Sequence, residues 1–124
     1  MPDGPLELES AEQRHLRLVV MTKALEQPWA IAFLPGGSMF VTERPGRLRI
    51  VREGVLDPRP VPGIPIVKTG GEGGLQGLMD VVLHPRFSEN HWIYFTYHKP
   101  VDGDGAITLG RGTWNGTEIG RAHV

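Results

Sequence analysis

The segment with the most direct potential for ligand chemistry is the glycine-rich run GGEGGLQG at residues 70–77. Glycines keep such a loop open, so its backbone can come close to a flat or phosphorylated ligand. The run matches neither the G-x-G-x-x-G spacing of dinucleotide sites nor the Walker spacing, which disfavours a nucleotide. Glu72 and Gln76 are its polar side chains and its candidate ligand contacts, and a plain turn between two sheets is the alternative interpretation.

Histidine is a common general base near neutral pH, and the chain has five histidines. His84 stands before a proline at the end of an apolar run, which favours a structural ring satisfied by the backbone over a catalytic base. His91 and His98 are predicted to lie in turns or at the surface, and His15 precedes the first strand. No two histidines form an H-x-H or H-x-x-x-H pair, so the spacing predicts no histidine metal site.

Two acidic positions have both a structural and a functional interpretation. Glu43 and Arg44 in TERPGR follow a strand end, where a structural turn is favoured and a position lining a central channel is the alternative. Asp80 lies inside the apolar run LMDVVL, and a buried carboxylate there must be paired or hydrogen-bonded. We therefore expect Asp80 to accept hydrogen bonds from the amides of the next turn.

The sequence DGDG at residues 102–105 places two aspartates at a spacing that also occurs in calcium-binding loops. The twelfth position of such a loop carries a bidentate glutamate. Counted from Asp102, this position is Thr113. The motif therefore predicts a turn around Asp102 and Asp104 rather than a calcium site.

The elements that must position these residues read as short strands. Glycine (17 residues) and proline (11 residues) lie between alternating apolar runs, a pattern typical of an all-β protein with many turns. Residues 53–74 read as a long connection, and no segment has convincing helical periodicity. The predicted strands cover residues 15–22, 29–34, 38–43, 47–52, 78–83, 92–97 and 106–114.

The strand pattern occurs twice. In each copy a short apolar strand ends at a proline, and a turn, a β-rich strand, a second turn and an alternating strand follow. Pro35 and Pro85 take the same place in the two copies, 50 residues apart, which is the spacing of propeller blades. An antiparallel sandwich, in which hairpins also recur, is the alternative.

Composition excludes several classes of protein. A net charge of -1 gives no support for a nucleic-acid or anionic-membrane partner. The lack of cysteine excludes a disulfide scaffold and thiolate zinc ligands. No apolar run reaches the length of a membrane-spanning helix. The polar, acidic residues 1–15 lack the features of a signal peptide.

Two stretches resemble the glucose/sorbosone dehydrogenase family, which includes soluble aldose sugar dehydrogenases. They are LEQPWAIAFLPGGSMFVTERPGRLRIV at residues 25–51 and GLQGLMDVVLHPRFSENHWIYFTY at residues 74–97. The resemblance implies the first two blades, approximately, of a longer six-bladed β-propeller. It further implies pyrroloquinoline quinone (PQQ) and calcium as cofactors, an aldose sugar as substrate, and a periplasmic or secreted location.

The resemblance also bears on site residues. The family's catalytic base is a histidine in a motif that does not occur before Val124, and its calcium ligands follow later still. The family places a polar residue, commonly glutamine, near the cofactor in the glycine-rich loop. Gln76 is the nearest counterpart although it stands one residue beyond the common pattern, and Glu72 is the counterpart if the loop register differs.

The end of the sequence predicts a tail that is not native to the protein. Residues 119–124 (IGRAHV) can be back-translated, with a following stop, into a common sequencing-library adapter. We therefore expect a polar segment at 1–15, a partial propeller domain at 16–118 and a non-native tail at 119–124 with few contacts. The function hypothesis is an inactive N-terminal fragment of a PQQ-dependent sugar dehydrogenase. A fragment of a non-catalytic propeller that binds carbohydrate or protein, and a self-contained β sandwich, are the alternatives.

Overall fold

A computed structural model of the chain describes residues 6–8, 16–18, 24–71, 76–102 and 104–120. In these ranges it has nine strands and one single-turn helix, α1 (Phe87–Asn90). No helix there is long and apolar enough to cross a membrane. The strands are β1 (Leu6–Leu8), β2 (Leu16–Leu18), β3 (Pro28–Phe33), β4 (Met39–Glu43), β5 (Arg47–Arg52), β6 (Val55–Leu56), β7 (Leu78–Leu83), β8 (Trp92–Val101) and β9 (Asp104–Thr113).

The strands form antiparallel sheets in which neighbours in sequence are neighbours in space. One sheet has the order β3-β4-β5-β6, a second has the order β7-β8-β9, and β1 pairs with β2. The prediction of an all-β chain with two antiparallel sheets of three or four strands is confirmed. The first predicted strand, 15–22, corresponds to Leu16–Leu18, and the rest of that range lies outside the described residues.

The fourth strand of the first sheet, β6, lies inside the segment that was predicted as a plain connection. A two-residue turn joins β5 to β6, with Arg52 opposite Val55. Glu53 and Gly54 both have positive φ, 51° and 78°, as the tight hairpin turn requires. The sequence signal was weak because glutamate, unlike asparagine or glycine, is uncommon in that conformation.

The two larger sheets pack face to face over one apolar core. Strands β3 and β4 of the first sheet contact β7 of the second. The rings of Phe40 and Trp114 meet edge to face with centroids 5.0 Å apart. The fully buried apolar side chains of this core are Phe40, Leu48, Leu78 and Ile93, with Phe95 almost fully buried. The burial of one face of each sheet is the main stabilising contribution.

Two isoleucine-to-valine variants, one buried and one exposed, test how much this core contributes to the free energy of unfolding. Ile93 is 0% exposed and Ile107 is 78% exposed, although both lie on strands of the second sheet. We expect Ile93→Val to lower the free energy of unfolding by about 0.5–1.5 kcal/mol, because it removes a buried methyl group. In the 124-residue chain, where Ile107 is exposed, Ile107→Val should change it by less than about 0.5 kcal/mol. Urea unfolding followed by circular dichroism checks both, and equal effects would contradict the packing.

The expectation of few contacts at residues 119–124 is wrong for Ile119 and Gly120. Ile119 is 4% exposed and its amide donates to the carbonyl of Pro62 at 2.9 Å. Gly120 donates to the carbonyl of Thr113 at 2.7 Å. The Asn115 carboxamide accepts hydrogen bonds from two amides that follow it, which turns the chain back over Trp114. Residues 121–124 lie outside the described ranges, and the adapter origin stays a hypothesis.

Candidate functional site

Antiparallel pairing brings several candidate residues together at one end of the strands of the two sheets. Pro28 lies opposite Glu43, Leu78 opposite Tyr97, and Val101 opposite Asp104. The start of β3, the β4–β5 turn, the segment before β7 and the β8–β9 turn therefore share this end, which we call the Gln76 edge. His84 and His91, at the other ends of β7 and β8, lie at the opposite edge.

Gln76 is held at this edge by its main chain and its side chain. Its amide donates to the carbonyl of Gly70 at 3.0 Å, and its side-chain Nε2 donates to Asp104 Oδ1 at 3.2 Å. Its Oε1 is buried and has no hydrogen-bond partner among the described residues. Because a buried polar oxygen without a partner is costly, this atom calls for a partner, and a bound ligand or an ordered water would supply one. Glu72, the other candidate of this loop, lies outside the described residues.

The β4–β5 turn holds the segment around Gln76 through Arg44. The Arg44 carbonyl accepts from the amide of Leu78 at 3.0 Å, and its guanidinium Nη2 donates to the carbonyl of Gln76 at 3.5 Å. The same guanidinium lies over the indole ring of Trp29, 5.1 Å from its centroid. A Cβ at Gly77 would lie 2.1 Å from the Arg44 carbonyl oxygen, so this close approach requires glycine.

Glu43 stabilises the β4–β5 turn through three hydrogen bonds to its carboxylate. It is 0% exposed, and its carboxylate accepts from the Glu26 amide at 2.5 Å, Arg47 Nε at 2.8 Å and Arg49 Nη1 at 3.2 Å. Burial by itself raises the pKa of Glu43, but these donors outweigh it and hold the pKa below the ordinary glutamate value. The contacts agree with the structural interpretation of Glu43 that its sequence favoured.

A shallow cleft opens between these groups. It has a volume of about 300 Å³ and is lined by Gln27, Arg44, Pro45, Thr69, Gly70 and Gln76. Its lining residues include Arg44, whose guanidinium lies over an aromatic ring, Thr69 with its hydroxyl, and Gln76, whose amide oxygen is buried without a partner among the described residues. These groups suit a small, flat ligand that carries negative charge and at least one hydrogen-bond donor.

A larger cleft of about 460 Å³ lies at the opposite edge, between α1 and the end of β5. Its arginine, Arg52, donates to Asp57 Oδ2 at 3.1 Å and to the carbonyl of Gly116 at 3.2 Å, and none of its described lining residues has a buried polar side-chain atom without a partner. We therefore assign the candidate site to the cleft at the Gln76 edge, where a polar atom still lacks a partner.

The histidines have structural contacts. His84 Nδ1 accepts from the amide of Arg86 at 2.9 Å and lies 3.0 Å from Asn90 Nδ2, as the structural interpretation of His84 requires. Its proton in the neutral ring is therefore on Nε2. His91 ends α1 with φ 57°. His98 differs from its prediction, because it lies within β8 at the Gln76 edge, where its amide donates to the carbonyl of Gly77 at 3.0 Å.

The structure differs from the prediction for Asp80 and agrees with it for Asp102 and Asp104. Asp80 was expected to be buried but is exposed, because a register irregularity between Leu78 and Val81 turns its side chain outward. Asp102 and Asp104 lie at a tight turn between β8 and β9, as DGDG predicted. Asp104 also contacts Gln76, a role that sequence analysis missed. Within the described ranges, no three His, Asp or Glu side chains are grouped as metal ligands.

Comparison with known proteins identifies the relatives of this chain. A sequence profile described as Glucose / Sorbosone dehydrogenase matches residues 25–123. An uncharacterized protein of Synechocystis sp. is 40% identical over 123 residues, which cover 95% of this chain and 30% of the relative. The match supports the family resemblance that was inferred from the two motif-bearing stretches.

Solved structures agree with the sequence match. The soluble aldose sugar dehydrogenase of Escherichia coli, in its apo form, is 33% identical with a TM-score of 0.75, over 84% of this chain and 30% of that chain. The PQQ-bound aldose sugar dehydrogenase of Streptomyces coelicolor is 22% identical with a TM-score of 0.65, over 98% of this chain and 34% of that chain, and shows the fold alone. The two sheets are thus propeller blades, and the chain spans about a third of the length of these relatives.

Proposed function

We propose, because the chain belongs to the glucose/sorbosone dehydrogenase family, that it contributes two blades to a longer PQQ-dependent dehydrogenase that oxidises an aldose sugar. The observation that carries this proposal is the cleft at the Gln76 edge, which Arg44 and Gln76 line and beside which Gln76 Oε1 is buried without a partner among the described residues. The cleft then forms part of the wall of the cofactor site.

The outer faces of the two blades support a longer propeller. On β3 the exposed face carries large apolar side chains, and so does the exposed face of the second sheet. These side chains are Trp29, Ile31 and Phe33 on the first sheet, and Val82, Ile107 and Leu109 on the second. Apolar side chains on the two outer faces of a stack of blades are the surfaces that neighbouring blades cover.

The donor set of the cleft fits PQQ. PQQ is a flat tricyclic quinone with three carboxylates and a pyrrole N–H, and it supplies the two-electron acceptor for oxidation of a sugar alcohol. Arg44 would attract a carboxylate, and Gln76 Oε1 would accept a hydrogen bond from an N–H or O–H group. Since the family resemblance implies that the calcium ligands and the catalytic base follow later in the sequence, we propose that other parts of the longer protein supply them.

The proposal extends to the surroundings of the enzyme. We propose an aldose as the substrate, since the resemblance implies oxidation at the sugar C1, and a periplasmic or secreted location, as the family suggests. The alternative of a non-catalytic binding propeller keeps the same fold and the same cleft. It differs in one property, which is that the propeller would bind a carbohydrate or a protein without oxidising it.

A turnover assay on the full-length protein that contains this chain separates these functions. With PQQ and Ca²⁺ added, we expect aldose-dependent reduction of an electron-accepting dye that disappears when PQQ is left out. We expect Gln76→Leu to weaken PQQ binding about 3- to 10-fold, because it removes one hydrogen bond of ordinary strength. PQQ binding without sugar oxidation would favour the binding module, and absence of both would contradict the proposed function.

A further inference from the structure

The side-chain amide of Gln76 has a fixed orientation. Asp104 Oδ1 lies 3.2 Å from Gln76 Nε2 and also accepts from the amide of Gly105 at 2.8 Å. An ionised carboxylate can accept hydrogen bonds but cannot donate them, so the amide nitrogen must face Asp104 and the amide oxygen must face away. The Gly105 amide first, and then Gln76, hold the pKa of Asp104 below its ordinary value, which keeps it ionised near neutral pH.

The backbone on both sides of this amide forms a narrow slot. A Cβ at Gly71 would lie 2.7 Å from Gln76 Cγ, and a Cβ at Gly105 would lie 3.1 Å from Gln76 Nε2. Both glycines therefore allow the side chain to lie flat between two loops that belong to different parts of the sequence. The slot and Asp104 together restrict the rotamer of Gln76 before any ligand arrives.

We propose that Asp104 is a positioning residue that turns the Gln76 amide nitrogen away from the cleft and offers Gln76 Oε1 to a hydrogen-bond donor of the ligand. This inference rests on the proposed function for the nature of the ligand. It specifies that the ligand group at this subsite donates the hydrogen bond, so that group must be an N–H or O–H. The pyrrole N–H of the quinone satisfies this condition, and a quinone carbonyl or a carboxylate does not.

Three variants of the full-length protein isolate the role of Asp104. Asp104→Ala removes the acceptor, whereas Asp104→Asn keeps a side-chain oxygen that can accept from Gln76. Asp102→Asn is the control for loss of one negative charge on the same turn, and asparagine tolerates the positive φ of 48° at that position. We expect Asp104→Ala to weaken PQQ binding about 3- to 10-fold, and the two asparagine variants to bind PQQ within about 2-fold of wild type.

A second measurement is independent of the cofactor. In the apo protein with ¹⁵N-labelled glutamine, the Gln76 side-chain NH₂ signals are assigned by their loss in Gln76→Leu. In Asp104→Ala, but not in Asp104→Asn, these signals should shift and their protons should exchange faster with water.

The two measurements separate the two proposals. Absence of PQQ binding in wild type would contradict the proposed function, while the NH₂ signals would still test the positioning by Asp104. Unchanged NH₂ signals in Asp104→Ala would overturn the positioning role. Shifted NH₂ signals with unchanged PQQ affinity in a protein that does bind PQQ would overturn the acceptor role of Gln76 Oε1.

Discussion

The 124-residue chain alone is expected to reduce no dye in the presence of aldose, PQQ and Ca²⁺, under conditions in which the full-length protein turns over. The expected deficit is at least about 10²-fold, because general-base catalysis alone contributes about 10²–10⁴-fold. Two of the three histidines that the structure describes, His84 and His91, support this expectation. Nδ1 of His84 is engaged by its own turn, and His91 lies with it at the edge opposite the cleft.

This experiment needs a control for folding. Exposed apolar faces and free strand edges favour aggregation of the isolated chain. Far-UV circular dichroism and size-exclusion chromatography on both proteins therefore accompany the dye assay, so that an unfolded sample is not read as an inactive one. Turnover by the isolated folded chain would contradict the prediction, and His98, at the Gln76 edge, would then become the first candidate base.

Most of the fold could be predicted because its determinants are local. The repeated pattern around Pro35 and Pro85 places strands, turns and sheet faces, and each blade is built from strands that are neighbours in sequence. The departures are positions where one residue adopts an unexpected conformation. Glu53 has a positive φ in the turn that leads into β6. The register irregularity before Val81 turns the side chain of Asp80 outward.

The candidate site was less predictable because its contacts join distant parts of the sequence. Gln76 was identified from its loop, but Asp104, which orients its amide, lies 28 residues later in a motif that predicted a turn. Arg44 lies 32 residues before the carbonyl that it contacts. The first contact depends on the pairing of β7, β8 and β9 within one blade, and the second depends on how the two blades pack. Neither periodicity nor motif spacing encodes such contacts.

Ile119 illustrates a further limit. The codon-level interpretation of residues 119–124 led to the expectation of a tail without contacts. An apolar side chain that follows a tight turn beside an apolar groove can be buried whatever its origin, because hydrophobic burial is not directional. The burial of Ile119 therefore corrects the structural expectation and leaves the origin of the residues as a separate question.

Substitution of Glu43 is expected to have the largest effect on stability. Glu43→Ala removes the carboxylate from Arg49, whose side chain is only 10% exposed, and from the Glu26 amide. Breaking a buried ion pair on one side costs about 3–5 kcal/mol, so we expect a loss of about 3 kcal/mol in the free energy of unfolding. Glu43→Gln should cost less, because one oxygen can still accept from an arginine.

The control for loss of a carboxylate is Glu89→Ala. Glu89 is exposed, and its oxygen lies 4.0 Å from Arg86, so its removal should change stability by less than about 0.5 kcal/mol. Urea unfolding at neutral pH compares these variants. Equal effects of Glu43→Ala and Glu89→Ala would contradict the anchoring role of Glu43.

Acidification should lower the free energy of unfolding, in part because it protonates Glu43. Its pKa is lower in the folded chain than the ordinary value of 4.5, so the unfolded state binds the proton more readily. The stability that Glu43 contributes is therefore complete above about pH 4.5 and is lost as the pH falls through the lower folded pKa. Asp57 and Asp104 also have lowered pKa values and add to the acid dependence of wild type. Glu43→Gln removes the contribution of Glu43 alone, so its stability should fall less steeply with acid than that of wild type, and parallel pH profiles would refute this assignment.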